Sequence, residues 1–282
     1  MTRPITVGAD GSAESLAALH WAAREAVRRT LPLRIVHAWE KSEKEDRAAD
    51  AREALARTAG EVTGRHPGLT VTTDLLDGGP VDALIAAAAE AETLVLGSRG
   101  HGAIVGFLLG SVGQQVIAEA TRPVVLVRAG DRAESEAAGR EIVVGQQGGP
   151  DDSAAVLRFA FGEAAARGAA LRVVRAWSLP TVFTYSPGSL ALADEAGGLE
   201  PYEKKALAEA LHPWIERFPD VPVTRHVEMG SAGEVLLSLA TRAQLMVVGR
   251  RARRSAVGSR IGSVAHAVVH HAPSPVVVVP PA

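Results

Sequence analysis

Between Gly97 and Ser111 the chain reads G-S-R-G-H-G-A-I-V-G-F-L-L-G-S, a run dense in glycine that also carries Arg99, His101 and Ser111. Glycine lets a backbone approach a ligand closely or adopt positive φ, so main-chain amides from Gly97 through Val112 can be gathered around one point. Apolar residues at helical spacing follow directly (V-G-Q-Q-V-I-A-E-A), which predicts a helix opening near Gly110 or Ser111. A helix start adds unpaired N–H groups and the positive end of its dipole. Together these are chemistry for holding an anion, phosphate above all. The Ser111 hydroxyl can add a hydrogen bond or cap the helix. His101 reads equally as a phosphate contact and as a solvent-exposed loop histidine. Glycine loops that only turn the chain are common; what points further is that this chain writes the pattern twice.

The elements that must position the loop follow from hydrophobic patterning. T-L-V-L (93–96) precedes it as a buried strand and P-V-V-L-V (123–127) follows its helix. Upstream, I-T-V-G-A-D-G-S gives a first strand ending at Gly8 to Asp10. A helix follows in which Leu16, Leu19, Ala23 and Val27 line one face. L-R-I-V-H-A-W (33–39) and L-T-V-T-T-D-L-L (69–76) give the second and third strands. Strands alternating with helices predict a parallel sheet covered on both faces. Residues 129–140 are polar and read as a linker, after which the order restarts. L-R-V-V-R-A-W (171–177) answers L-R-I-V-H-A-W, L-M-V-V-G (245–249) answers T-L-V-L-G, and P-V-V-V-V (275–279) answers P-V-V-L-V. The expected units are 1–129 and 140–282, joined by 130–139. The second carries an insertion over 178–198, a surface excursion or a lid. The two fifth strands would be exposed edges in isolated units, and pairing with each other across a pseudo-two-fold axis removes that liability.

Bulk properties narrow the function. Lys plus Arg (30) nearly balances Asp plus Glu (32), for a net charge of −2, which argues against a general nucleic-acid or acidic-membrane binder. The absence of cysteine removes disulfides, thiolate metal sites and cysteine nucleophiles. No apolar run approaches membrane-spanning length and the first strand begins almost at once, so the expected location is cytoplasmic. Neither G-x4-G-K-[S/T] nor G-x-S-x-G occurs. His266 and His270 stand four apart without a visible third ligand, so a metal site is not expected. Asp151, Asp152 and Ser153 read as a helix cap, and S-A-G-E (231–234) as a capping box.

In its repeat and its loop motif the chain resembles the universal stress protein family in its tandem two-domain form. ATP-binding members carry G-x2-G-x9-G-[S/T] after the fourth strand; Gly97, Gly100, Gly110 and Ser111 match that spacing. An Asp after the first strand corresponds to Asp10, and the residue that packs on adenine corresponds by position to Ala38. The resemblance implies two open, Rossmann-like α/β sheets of HUP type, five parallel strands each in the order 3-2-1-4-5. It implies ATP, with or without Mg2+, held by Ala9, Asp10, Ala38, Gly97, Arg99, Gly100, His101, Gly110, Ser111 and Val112. In the second half the counterparts are Gly249, Arg250, Gly262, Ser263 and Val264. There the pattern departs: Ala252 replaces the second glycine, and Gln146 and Gln147 occupy the region of the acidic residue. R-R-A-R-R (250–254) and Arg260 either compensate at a competent second site or face solvent or a partner where the site has decayed. The implied role is an ATP-binding stress or signalling regulator with little or no turnover, acting as a homodimer whose halves form an internal pseudo-dimer. A slow ATPase or adenylating enzyme on a related fold, and a nucleotide-free interaction scaffold, are the alternatives.

Overall fold

The computed structural model describes residues 2–39, 45–98, 110–130, 140–178, 198–251 and 261–281. In the first half the β-branched runs become β1 (Ile5–Gly8), β2 (Leu33–Trp39), β3 (Val71–Asp77), β4 (Thr93–Ser98) and β5 (Val124–Arg128). Between them lie α1 (Ala13–Arg28), α2 (Glu45–Arg65), α3 (Pro80–Glu90) and α4 (Ser111–Glu119). The second half repeats the order with β6 (Glu141–Gly145), α5 (Pro150–Arg167), β7 (Leu171–Trp177), α6 (Glu200–Arg217) and β8 (Val223–Met229). It closes with α7 (Ala232–Leu239), a 3-10 turn (Ala240–Arg242), β9 (Ala243–Gly249), α8 (Ser263–His271) and β10 (Val276–Val279).

The described strands all join one 10-stranded sheet in the order β3-β2-β1-β4-β5-β10-β9-β6-β7-β8. Each half keeps the expected 3-2-1-4-5 order with parallel neighbours. The halves meet where β5 and β10 pair antiparallel, with Val125 opposite Val277. Two edges that would each invite foreign pairing thereby satisfy one another. Because side chains alternate across a strand, the sheet has an apolar layer on each face. Ile5, Val7 and Val277 pack with Trp21, Phe161 and Leu211 of α1, α5 and α6. Val36, Leu94 and Val276 pack with Leu84, Ile117, Leu236 and Val268 of α3, α4, α7 and α8.

Two ties bind the halves beyond the strand pair. Arg250 Nη1 donates to the Ile117 carbonyl of α4 at 2.8 Å, while Arg128 Nη2 donates to the Val269 and His270 carbonyls of α8 at 3.4 and 3.1 Å. Each half thus supplies a guanidinium to the other's C-terminal helix carbonyls, where positive charge is favoured. Burial lowers the Arg128 guanidinium to about 10. Burial lowers that of Arg250 too, against the charge of Glu119. Nearer the centre, Glu25 and Arg29 of α1 face Glu163 and Arg167 of α5. Arg167 reaches Glu25 at 2.5 Å and Arg29 reaches Glu163 at 3.2 Å, with Glu25, Glu163 and Arg167 almost wholly buried.

Three sequence expectations need correction. Leu16 and Val27 are exposed (44% and 50%), because α1 is buried along Ala18, Leu19, Trp21, Ala22 and Ala26 instead. Ser231 is the N-cap of α7 but makes no side-chain cap bond, so S-A-G-E is no capping box. The fourth strand continues through Ser98, which places Gly97 within the sheet beside Val127 rather than in a loop.

Candidate functional site

In an open parallel sheet ligands bind beyond the carboxyl ends of the strands, where the order reverses. In the first half that point lies between β1 and β4, which are direct neighbours. The turn after β1 carries Ala9 and Asp10 to one lip, and the return into α4 carries Gly110, Ser111 and Val112 to the other.

The β1 lip is held by its own polar groups. Asp10 Oδ1 accepts from Ser12 N at 3.0 Å and from Ser12 Oγ at 2.5 Å, while Ser12 Oγ accepts from Ser15 N at the N-cap of α1. Burial raises the Asp10 carboxyl, but hydrogen bonds from Ser12, Ser15 and its own backbone amide together outweigh it and hold the group below its ordinary value. The lip therefore presents a carboxylate at neutral pH. His37 Nδ1 donates to the Ala9 carbonyl at 2.6 Å, tying β2 to the same turn. Ala38 follows on β2, half-buried, on the face of the sheet that α3 and α4 cover.

The α4 lip is a bare helix start. Gly110 is the N-cap with φ −57° and ψ 155°, without a side-chain cap bond, and Gln114 N closes the first turn on the Gly110 carbonyl at 3.1 Å. The amides of Ser111, Val112 and Gly113 consequently lack intrahelical acceptors. Gly110 and Ser111 are exposed, and a Cβ built on Gly110 would meet nothing within 4 Å. Among the described residues no side chain caps this end of the helix, a start of the kind that accepts hydrogen-bonding anions. Arg99, Gly100 and His101 lie outside the described residues.

Gly97 has a packing reason that spacing alone does not reveal. A Cβ there would stand 2.5 Å from the Glu14 carbonyl carbon and 2.7 Å from Ser15 N. The missing side chain lets the first turn of α1 lie directly on β4. Gly249 is the repeat counterpart, where a Cβ would meet Val156 Cγ2 at 2.9 Å.

The second half builds its crevice differently. Gln146, buried, stands where Ala9 stands in the first half, and Gln147 stands where Asp10 stands. Arg175 replaces His37; its Nη1 donates to Gln146 Oε1 at 2.8 Å and to the Gly148 carbonyl at 3.0 Å. Gly262, the N-cap of α8, adopts φ +89°. Ser263 is exposed and Val264 half-buried on the first turn of that helix. Arg250 is turned to Ile117 of the other half, as described above. Residues 252–260, with Ala252 and Arg260, lie outside the described residues, as do 179–197 of the insertion. Asp152 acts as a cap: its Oδ2 accepts from Gly149 N at 3.0 Å. The His266 and His270 rings lie 4.2 Å apart, tilted by 49°, and among the described residues no group of three or more metal-ligating side chains gathers. Among them too, no helix is long and apolar enough to cross a membrane.

The model of the universal stress protein family matches residues 1–128 and again 139–280. The chain belongs to the universal stress protein family. Among curated members, Universal stress protein Rv2005c of Mycobacterium tuberculosis is 34% identical, over 97% of this chain and 96% of its own length. A universal stress protein of Mycolicibacterium smegmatis is also 34% identical, over 98% of this chain and 97% of its own. Among solved structures, a universal stress protein from Archaeoglobus fulgidus superposes with TM-score 0.73 at 17% identity. It covers 99% of this chain and 98% of its own, a likeness of fold. The tandem arrangement of two universal stress protein repeats is thus a property of the whole chain.

Proposed function

We propose that this universal stress protein binds an adenine nucleotide, ATP in the first instance, in the crevice between β1 and β4. The bound state would serve as a signal in a stress response. The observation that carries the reading is the helix start at Gly110 to Val112, exposed at Gly110 and Ser111 and without a side-chain cap, at the same end of the sheet as the Asp10 carboxylate. Unpaired amides and a helix dipole suit the phosphates. A carboxylate acceptor suits the hydroxyl or amino donors of a nucleoside. Ala38, small and half-buried beside this lip, suits a flat base. Arg99, Gly100 and His101 complete the glycine loop in this reading. A divalent cation would travel on the phosphate oxygens and water. Turnover is not part of the proposal. A second copy of the chain is the expected protein partner.

Isothermal titration of the purified protein with ATP tests the reading, with phosphate release followed in parallel. Saturable binding without turnover above background supports it. Rapid magnesium-dependent hydrolysis would move the protein to the enzyme class. Absence of binding would leave the crevice as a scaffold feature.

A further inference from the structure

Where the halves meet, equivalent residues of the repeat face one another. The buried positions of α1 and α5 correspond in order, Ser15 with Ser153, Leu19 with Leu157 and Ala26 with Ala164. On the same register Glu25 corresponds to Glu163 and Arg29 to Arg167. The contacts cross over reciprocally: Arg29 Nη1 donates to Glu163 Oε1 at 3.2 Å, and Arg167 Nη2 donates to Glu25 Oε2 at 2.5 Å. Such reciprocity is the mark of a two-fold axis, and an axis of this kind brings like groups together. Here it gathers two carboxyls, only 2% and 3% exposed, within hydrogen-bonding reach of each other. Two ionised carboxylates have no donor between them, so a bond of that kind needs a proton.

The guanidiniums around the pair are shared unequally. Glu25 Oε2 accepts from Arg28 Nη1 at 2.6 Å as well as from Arg167. Glu163 accepts from Arg29 Nη1 and, through Oε2, from Arg167 Nε, both at 3.2 Å. Short bonds fall on Glu25 and long ones on Glu163, the contrast expected between a carboxylate and a neutral acid. Its source is a break in the repeat, because the counterpart of Arg28 is Ala166. Buried Glu25 Oε1 receives no donor from any described residue. The other groups facing the pair are Trp21 on α1, whose ring centre lies 5.4 Å from the Arg167 guanidinium, and Gln244 on β9, whose Oε1 accepts from Arg167. Glu92, ahead of β4, pairs with Arg29 and Arg122. None of these donates to Glu25 Oε1. A proton on Glu163 would supply the missing donor.

We propose that Glu25 and Glu163 share one proton across the pseudo-two-fold axis, as a hydrogen bond from the Glu163 carboxyl to Glu25 Oε1 that latches α1 of the first half to α5 of the second. Like charges held together in a buried site take up one proton between them. Burial, and then the Glu25 charge, raise the Glu163 carboxyl to about 7 against Arg167 and Arg29. The latch is therefore closed at about pH 5 and opens as pH rises through about 7. At about 1.5 Å per residue, Glu25 stands about 20 Å along α1 from the Ser12 cap, so this site is separate from the proposed nucleotide crevice.

Infrared spectroscopy of the full chain, with isotopically labelled glutamate to identify the band, reads a neutral carboxyl directly. Ordinary carboxyls are ionised at about pH 6. The expected result at that pH is one neutral glutamic acid band, lost as pH rises through about 7. Glu25→Gln should abolish the band as completely as Glu163→Gln does. Either change leaves one carboxylate beside the guanidiniums, with an amide N–H in place of the shared proton. A band that survives in Glu25→Gln would overturn the proposal, since burial alone would then hold the proton on Glu163. So would a folded wild-type protein without the band at about pH 6, a reading that needs no variant to fold.

Discussion

Replacing Gly110 with Asp separates the helix start from the site it is proposed to form. The residue is the N-cap of α4, its φ of −57° suits any L-residue, and a Cβ there meets nothing within 4 Å. Aspartate is among the preferred N-cap residues, so the variant should fold as well as wild type or gain a few tenths of a kcal/mol. Its effect on an anionic ligand has the opposite sign. A carboxylate about 5 Å from one phosphate charge costs about 3 kcal/mol at an effective dielectric of about 20, and about 1.7 kcal/mol at about 40. That is roughly a 15-fold to 250-fold loss of ATP affinity, and salt should shrink it. Gly110→Asn caps the helix equally without the charge and should bind within about threefold of wild type. Calorimetric titration of both variants, with thermal melts as the folding control, decides the matter. Unaltered affinity in a folded Gly110→Asp protein would refute the claim that α4 receives the phosphates.

Other expectations follow from contacts already described. Gly97→Ala forces a Cβ onto the backbone of α1, so denaturant titration should show a loss of about 3 kcal/mol, whereas Gly110→Ala should stay within about 1 kcal/mol. Arg250→Ala leaves the Ile117 carbonyl unpaired and should lower stability by about 1–2 kcal/mol in the same assay. Burial, and then the charge of Glu25, push the Glu163 carboxyl up to about 7, against Arg167 and Arg29. The facing groups are Glu25 and Arg28 on α1 and Arg29, with Arg167 on α5 itself and Gln244 on β9. A carboxyl whose folded value exceeds its unfolded one loses stability as pH rises between the two. The protein should therefore weaken from about pH 5 to about pH 8, by up to about 3 kcal/mol. Denaturation midpoints across that range should show the fall, and Glu163→Gln should flatten it; a flat wild-type profile would contradict the assignment.

The fold was largely legible because the signals that set it are local and repeated. Short, nearly continuous apolar runs identify the strands, and L-R-I-V-H-A-W against L-R-V-V-R-A-W aligns the halves. The two valine-rich fifth strands, each an edge, announce their own pairing. What was hidden is carried by contacts distant in sequence. Gly97 reads as a loop glycine until α1 is seen lying on it. Glu25 and Arg29, like Glu163 and Arg167, stand four apart in sequence, yet Arg29 and Arg167 each reach the other half's Glu. The signal that could have exposed them is that both pairs sit on helices otherwise rich in buried alanine. Arg250 read as a phosphate ligand because the adjoining loop is basic, and only the placement of α4 shows the carbonyl it serves. The Gln146–Arg175 hydrogen bond could have been suspected from sequence, since Gln and Arg stand at the positions of Ala9 and His37 in the first half.

The central claim is that main-chain amides at the start of α4 receive the phosphates of an adenine nucleotide beside Asp10. Amide-resolved NMR of the labelled protein during ATP titration reads those groups one by one. The account predicts the largest shifts at Ser111, Val112 and Gly113, with smaller ones at Asp10 and Gly11. Shifts absent from α4, or centred on Ser263 to Ala265, would contradict it.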